Sequence, residues 1–515
     1  MIGLFLAAGL SVAAPGDEAY RAALELVYNG AFDAAGERLS ALTASAPGDP
    51  VGPYLQALAL CWKLEQQPGS TALDDAFLQR TDRALALAEA RLKKDQGDAR
   101  ARLARGAAYG VRSRYHIFRQ HRSDAARDAV RMREDLLKAR AQGVTDGDVR
   151  FGLGLYDYYT DVLPRVVKLL RFFAGMPGGD RERGLALLGE AQAGTLFHDT
   201  EARVQLYEIY AFYEERPDRA LVEIRALSSR YPGWPRWGLS LAEHLRDRLG
   251  LYEESAAVAR AVLENAEQKR HPNYQPVVAA MARASLGESL LLDGRFPEAR
   301  AALLLAQQGS PEAPWVAARV HFLLGRSLEL EGDRDAALSH YRAAAEGGDR
   351  ELRRRAQAAL ASPLPAGELR SAQALATARR EREAGYEEEA VEACRRAHAA
   401  WPRNTEAALC VAESDLKHGR PEEAREILES LGGQKSIRPP WARPWAALLY
   451  GELRDLEGHR EEAVQEYKKV LQEPYGREAL RARAAERLRR PFTSESGPPP
   501  VPRSSSSLYT IQSSI

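Results

Sequence analysis

The residues of this 515-residue chain that could do chemistry are ten histidines, three cysteines and one glycine-rich turn. His116 and His121 could serve a metal only if both imidazoles reached one ion. On a continuous helix the i, i+5 spacing does not put two ligands on one face. No histidine stands in a His-Glu-x-x-His arrangement. Gly178-Gly179-Asp180-Arg181 has the glycines of a phosphate loop, but no strand precedes it and no lysine completes it. There is no Gly-x-Ser-x-Gly elbow, and none of Cys61, Cys394 and Cys410 has an activating neighbour. The cysteines form no Cys-x-x-Cys pair. Cys394 and Cys410 fall on neighbouring predicted helices, so a single bridge in an oxidising compartment stays open, and two buried free thiols is the favoured reading. Paired carboxylates abound, but on amphipathic helices they read as solvated faces or intrahelical ion pairs. The sequence therefore assigns no catalytic residue, no metal ligand and no cofactor, and the chain is expected not to be an enzyme.

What positions these residues is set by composition and periodicity. Lys+Arg 72 balance Asp+Glu 72, with 45% hydrophobic and 28% charged residues. That balance argues against nucleic acid as a partner, because wholesale phosphate binding needs net positive charge. One local exception runs from Ala99 to Ser123, with seven arginines, no acid, and Tyr109, Tyr115 and Phe118 interleaved. Arginine stems covering apolar surface is the favoured explanation. The alternative is an anion site, with an acidic protein segment ahead of lipid headgroups. Residues 1–14 read as a signal peptide: an apolar run from Ile2 to Leu10, then Ser11-Val12-Ala13. Export to a bacterial envelope or periplasm is the corresponding expectation. No run of 18 apolar residues follows, so no transmembrane helix is expected in the mature chain. Residues 491–515, rich in Pro and Ser, read as a disordered tail.

Between these ends, helix-length apolar periods alternate with short turns and no strand pattern is visible. Gly385-x4-Ala390-x3-Cys394-x2-Ala397 recurs as Gly419-x4-Ala424-x3-Leu428-x2-Leu431 and as Gly458-x4-Ala463-x3-Tyr467-x2-Val470. Upstream, Leu324-Gly325 through Gly332, Ala337 and Tyr341 repeats the frame, as do Leu286-Gly287 through Gly294 and Ala299, and Gly30 with Ala35. The pattern resembles the tetratricopeptide repeat (TPR) family, which implies an all-α fold, an α-solenoid of stacked antiparallel helical hairpins. A turn glycine can take the left-handed conformation that ends the first helix, and the small residue five positions on lets the helices approach. The chain divides into hairpins at 17–142, a central array at 143–360, a linker at 361–367 and C-terminal repeats at 368–490. Further insertions fall near 271–276 and 432–440.

The central segment from Phe151 through Leu163-Pro164 to Gly179-Asp180-Arg181-Glu182 is similar to TPR proteins of the inclusion-body-clearance type over residues 149 to 230. That likeness implies an interaction protein and no enzymatic role. Pro164 to Phe173 should be the first helix of its repeat, carrying Arg165, Lys168 and Arg171 as one basic stripe. Burial between hairpins is favoured over a membrane-surface helix. The resemblance further implies a concave face lined by first helices, with Gln205, Tyr213, Trp237, His244, Arg319, Arg326, Glu329, Trp445 and Glu452 as candidate groove residues. Arg112, Arg114, Arg119 and Arg122, with Arg165, Lys168 and Arg171, form the candidate anion or membrane patch. The expected function is a protein- or peptide-binding scaffold or assembly factor. The alternative is peripheral membrane contact through 99–123 and 164–173.

Overall fold

A computed structural model describes residues 16–67, 69–144, 147–162, 177–274, 276–309, 313–432 and 436–494. Among them are 24 α-helices and no strand, packed in consecutive antiparallel pairs, so the fold is all-α and built of helical hairpins. The signal-peptide segment 1–14, the stripe Arg165, Lys168 and Arg171 on the helix expected at 164–173, and the tail beyond residue 494 lie outside the described residues.

The helices fall into two compact units. One comprises residues up to Glu214 together with 222–237 and 271–273; the other holds 215–221, 238–270 and everything from Tyr274 on. The first unit is built from α1 (Asp17–Tyr28), α2 (Phe32–Ser45), α3 (Val51–Leu64), α4 (Asp74–Lys94), α5 (Ala99–Phe118), α6 (Arg122–Ala141), α7 (Gly147–Val162), α8 (Arg181–Glu190) and α9 (Asp199–Glu208). Helices α10 (Pro217–Arg230) and α11 (Pro235–Glu243) have residues in both units. The second unit continues with α12 (Tyr252–Glu267), α13 (Pro276–Leu292), α14 (Phe296–Gln308), α15 (Pro314–Leu330), α16 (Arg334–Glu346), α17 (Arg350–Ala361) and α18 (Ala366–Ala384). It ends with α19 (Glu387–Ala400), α20 (Thr405–Lys417), α21 (Pro421–Ser430), α22 (Arg443–Leu456), α23 (Arg460–Gln472) and α24 (Glu478–Arg489).

The repeat frame has a direct structural counterpart. The turn glycines Gly30, Gly294, Gly332, Gly385, Gly419 and Gly458 all have φ between 68° and 93°, where an L side chain would be strained. Five residues on, Ala35, Ala299, Ala337, Ala390, Ala424 and Ala463 are fully buried where the paired helices cross. Asp98, Asp180, Asp333, Asp349 and Asn404 cap their helices by accepting a backbone N–H three residues ahead. In the second unit the hairpins close over Val320, Leu323, Leu324 and Tyr341.

Gly179 departs from the frame. It is not a left-handed turn residue; a Cβ there would collide with the Asp157 carbonyl and the Thr160 hydroxyl, so close approach to α7 is what requires glycine. Gly184, in the alanine position of that repeat, lies against the backbone N of Tyr158 and the carbonyl of Gly154.

The cysteines also differ from the favoured expectation of free thiols. Helices α19 and α20 bring the Cα atoms of Cys394 and Cys410 to 6.1 Å, and the two form a disulfide, well inside the range a bridge can span. Cys61 is a buried free thiol, pushed up to about 12 chiefly by burial.

Candidate functional site

Within the first unit, the first helices of successive hairpins, α3, α5, α7 and α9, line a cavity of about 860 Å³. Helix α5 leaves this space because it presents small side chains there, Ala104, Ala107 and Gly110 among them. The walls are carbon: Leu103, Val111, Met132, Leu136, Phe151 and Leu155. Ile117 and Tyr213 border it and are 67% and 56% exposed. Such large apolar side chains left in water beside a concave apolar wall are what a docking surface looks like.

One side of the cavity is polar and tightly organised. Glu201, 2% exposed, accepts from the Tyr28 hydroxyl at 3.0 Å, from Trp62 Nε1–H at 2.5 Å and from Arg114 at 3.0 Å. Arg114 also forks onto Glu65 at 2.8 and 2.9 Å and stacks over the Trp62 ring. Burial works to discharge this guanidinium, but Glu65 and the other groups around it hold it well above the usual arginine range.

Next to this cluster, Asp148 accepts the backbone N–H groups of Leu196, Phe197 and His198 at 2.9, 3.2 and 3.2 Å. His198 Nδ1 donates to the same carboxylate at 2.6 Å, and its Nε2 meets the Tyr54 hydroxyl. Burial raises Asp148 most, yet the His198 ring and these donors outweigh it and leave the carboxyl below its usual range. Tyr54 is driven well above the usual phenol range, first by burial and then by Asp148 and Glu201. A phenol so firmly protonated is a hydrogen-bond donor and not a nucleophile, so this Tyr-His-Asp line pins α3, α7 and the start of α9 together.

Two charged groups on the cavity wall are different. The Arg236 guanidinium lies 5.4 to 5.5 Å from the ring centres of Trp62, Trp234 and Trp237, and burial lowers it below the usual arginine range. Glu208 is raised above the usual carboxylate range, chiefly by burial and against the pull of Arg114 and Arg236. Among the described residues, its oxygen receives only a 3.3 Å bond from Gln205. Because the folded-state value is raised, this group contributes most to stability below its unfolded value, and that contribution is lost as pH rises through the folded value. Glu208→Gln is therefore expected to stabilise the protein by about 1 kcal/mol at neutral pH. The gain should vanish below about pH 4, and urea titrations at both pH values measure it.

Of the candidate groove residues, Gln205 and Tyr213 border this cavity. Trp237 is buried and donates to the Tyr28 carbonyl at 3.0 Å. The others belong to the second unit. There His244 is buried against the Pro217 carbonyl, Arg319 pairs with Glu288, and Arg326 with Glu368. Glu329 is buried and binds Arg334 and Tyr341, Trp445 donates to Glu413, and Glu452 is enclosed by Arg483 and Arg487.

The arginine-rich stretch is α5. Arg100 pairs with Asp17 and Asp49, Arg102 and Arg105 with Asp135, Arg112 with Asp128 and Asp82, Arg114 with Glu65 and Glu201, and Arg119 with Asp74. The acids that are missing from this stretch of sequence come from α1, α4, α6, α9 and the two segments flanking α3. Arg122 is exposed at the start of α6. Sequence reasoning did not single out Tyr54, Asp148, His198, Glu201, Glu208 or Arg236. The small-residue stripe on α5 was the available signal for the cavity.

No family model matches the chain, and no curated protein matches it. Among solved structures, NprR in complex with its cognate peptide NprX is 10% identical, over 82% of this chain and 100% of that one, with a TM-score of 0.31. The P58(IPK) TPR domain is 12% identical over 93% and 98%, with a TM-score of 0.22. The APC/C hetero-tetramer Cut9-Hcn1 is 12% identical over 93% and 97%, with a TM-score of 0.27. Superpositions this loose carry no argument; the repeat architecture rests on the helix pairs and turns themselves.

Proposed function

We propose that this chain is a non-enzymatic, TPR-like scaffold that binds a protein or peptide, and that the cavity of the first unit receives an apolar stretch of that partner. The observation that carries this reading is the apolar cavity along α3, α5, α7 and α9, bordered by exposed Ile117 and Tyr213. Its buried polar groups are mostly spent on one another, which suits a rigid receptor better than a reaction centre. Gln205 and Tyr213, which border the cavity, are the groove residues that would touch the partner; Trp237, His244, Glu329 and Glu452 are buried in the helical packing and would not.

The Cys394–Cys410 disulfide supports an oxidising compartment, in line with an exported protein of a bacterial envelope. No helix among the described residues is long and apolar enough to cross a membrane. Inward ion pairing of Arg112, Arg114 and Arg119 is why peripheral membrane contact is the less favoured reading.

A photo-crosslinking residue at Ile117 in the native cell tests the proposal. A small reproducible set of envelope proteins should be captured, and Ala107→Trp, which fills the cavity, should abolish capture with helicity unchanged. Crosslinks to lipid alone, or the same set from the Ala107→Trp chain, would overturn it.

A further inference from the structure

We propose that His116, His121 and Asp124 bind a divalent transition-metal ion of the zinc type at the corner between α5 and α6. The i, i+5 spacing that speaks against a shared site on one continuous helix does not apply, because the helix stops. Helix α5 ends at Phe118, Gln120 turns the chain with φ 63°, and the His121 N–H donates to the His116 carbonyl at 2.8 Å. The two imidazole centres thereby come within 5.7 Å, and Asp124 joins them from the first turn of α6. One ligand atom from each of the three residues lies within 4.8 Å of the others. A tetrahedral zinc with bonds of 2.0–2.1 Å wants its ligands about 3.3 Å apart, so rotation of the exposed His121 side chain closes the difference.

A second observation points to a ligand. His116 Nδ1 is buried and has no hydrogen-bond partner among the described residues, which is uncommon for a buried nitrogen. Nε2 of the same ring stands 3.7 Å from Asp128, a carboxylate held in place by Arg112 at 2.7 and 3.0 Å. A carboxylate behind a histidine is the usual orienting partner of a metal-binding imidazole. Arg112 and Arg119 are spent on Asp128 and Asp74, while Arg127 donates to one oxygen of Asp124 itself at 2.9 Å, so an ion would take the other oxygen of that carboxylate or displace the arginine. Two imidazoles and one carboxylate select a borderline cation over calcium or magnesium and leave at least one position for water or a partner's side chain. Because Ile117 and Phe118 line the cavity, an ion here would brace its edge. The site stands on its own geometry and does not depend on the proposed function.

The test is equilibrium dialysis of the full-length, untagged chain against Zn²⁺, with Co²⁺ absorption as a second readout. One ion per chain should be retained at micromolar concentration, and His121→Ala and Asp124→Asn should each weaken binding at least about tenfold. His340→Ala should leave it unchanged; His340 pairs with His321, Nδ1 to Nδ1 at 3.0 Å, and is the obvious competing site. His121 is exposed, so its removal spares the fold, which circular dichroism verifies. Absence of a retained ion, or equal affinity in the His121→Ala and Asp124→Asn chains, overturns the assignment.

Discussion

Glu201→Ala should destabilise the first unit by about 3–5 kcal/mol, the cost of stranding buried partners of a removed charge. The carboxylate is almost fully enclosed, and its loss leaves the Tyr28 hydroxyl, the Trp62 indole N–H and one fork of Arg114 without an acceptor. Arg114 would keep Glu65, which is why the loss should stop short of abolishing folding. Glu201→Gln retains the shape and one acceptor oxygen and should cost less. Urea denaturation followed by tryptophan fluorescence is suited to the measurement, because Trp62, Trp234 and Trp237 pack within 5.2 to 6.0 Å of one another in the same unit. A loss below about 1 kcal/mol for Glu201→Ala would be typical of a solvated surface pair and would refute the network.

Glu452→Ala is expected to have a comparable effect at the other end of the chain, again about 3–5 kcal/mol. Arg483 reaches the Glu452 carboxylate at 3.1 and 2.7 Å and Arg487 at 3.1 Å, all buried. Burial acts to lower Arg483, but Glu413 and Glu452 hold it above the usual arginine range. At Glu452 burial outweighs the pull of Arg483 and Arg487 and raises the carboxyl, so the expected loss comes from the arginines left stranded. Both arginines stand on α24, the last described helix, which packs on α22 and α23. In a repeat array each layer is held by its neighbours, so the damage should appear first as release of α24. Hydrogen exchange should show faster exchange over 478–489 before any change in α19 and α20. Unaltered protection of α24 would mean that apolar contacts such as Ala484 hold it unaided.

Much of the architecture was legible because the repeat is written in residues with one conformational meaning. Gly385, Gly419 and Gly458 must turn left-handed, and Ala390, Ala424 and Ala463 must sit where helices cross, and each does so. Gly179 shows the limit of that reading. The same residue type in the same frame position was required by contact with Asp157, a neighbour on α7 that the local pattern does not include. The candidate site was far less legible. Its polar cluster draws Tyr28, Trp62, Arg114 and Glu201 from four separate helices, and no window of sequence contains them together.

The sequence by itself determined the all-α hairpin architecture, the repeat turns and the helix crossings. These depend on backbone preference and side-chain size at short range, which are local properties. Only the tertiary structure decided that the arginines of α5 face acids on other segments, that Cys394 meets Cys410, that small residues on α5 open a cavity, and that His116 and His121 face each other across a corner. Each of these is a pairing between distant segments or across a turn. Charge complementarity and ligand geometry depend on distance in space, which residue spacing along one helix does not supply.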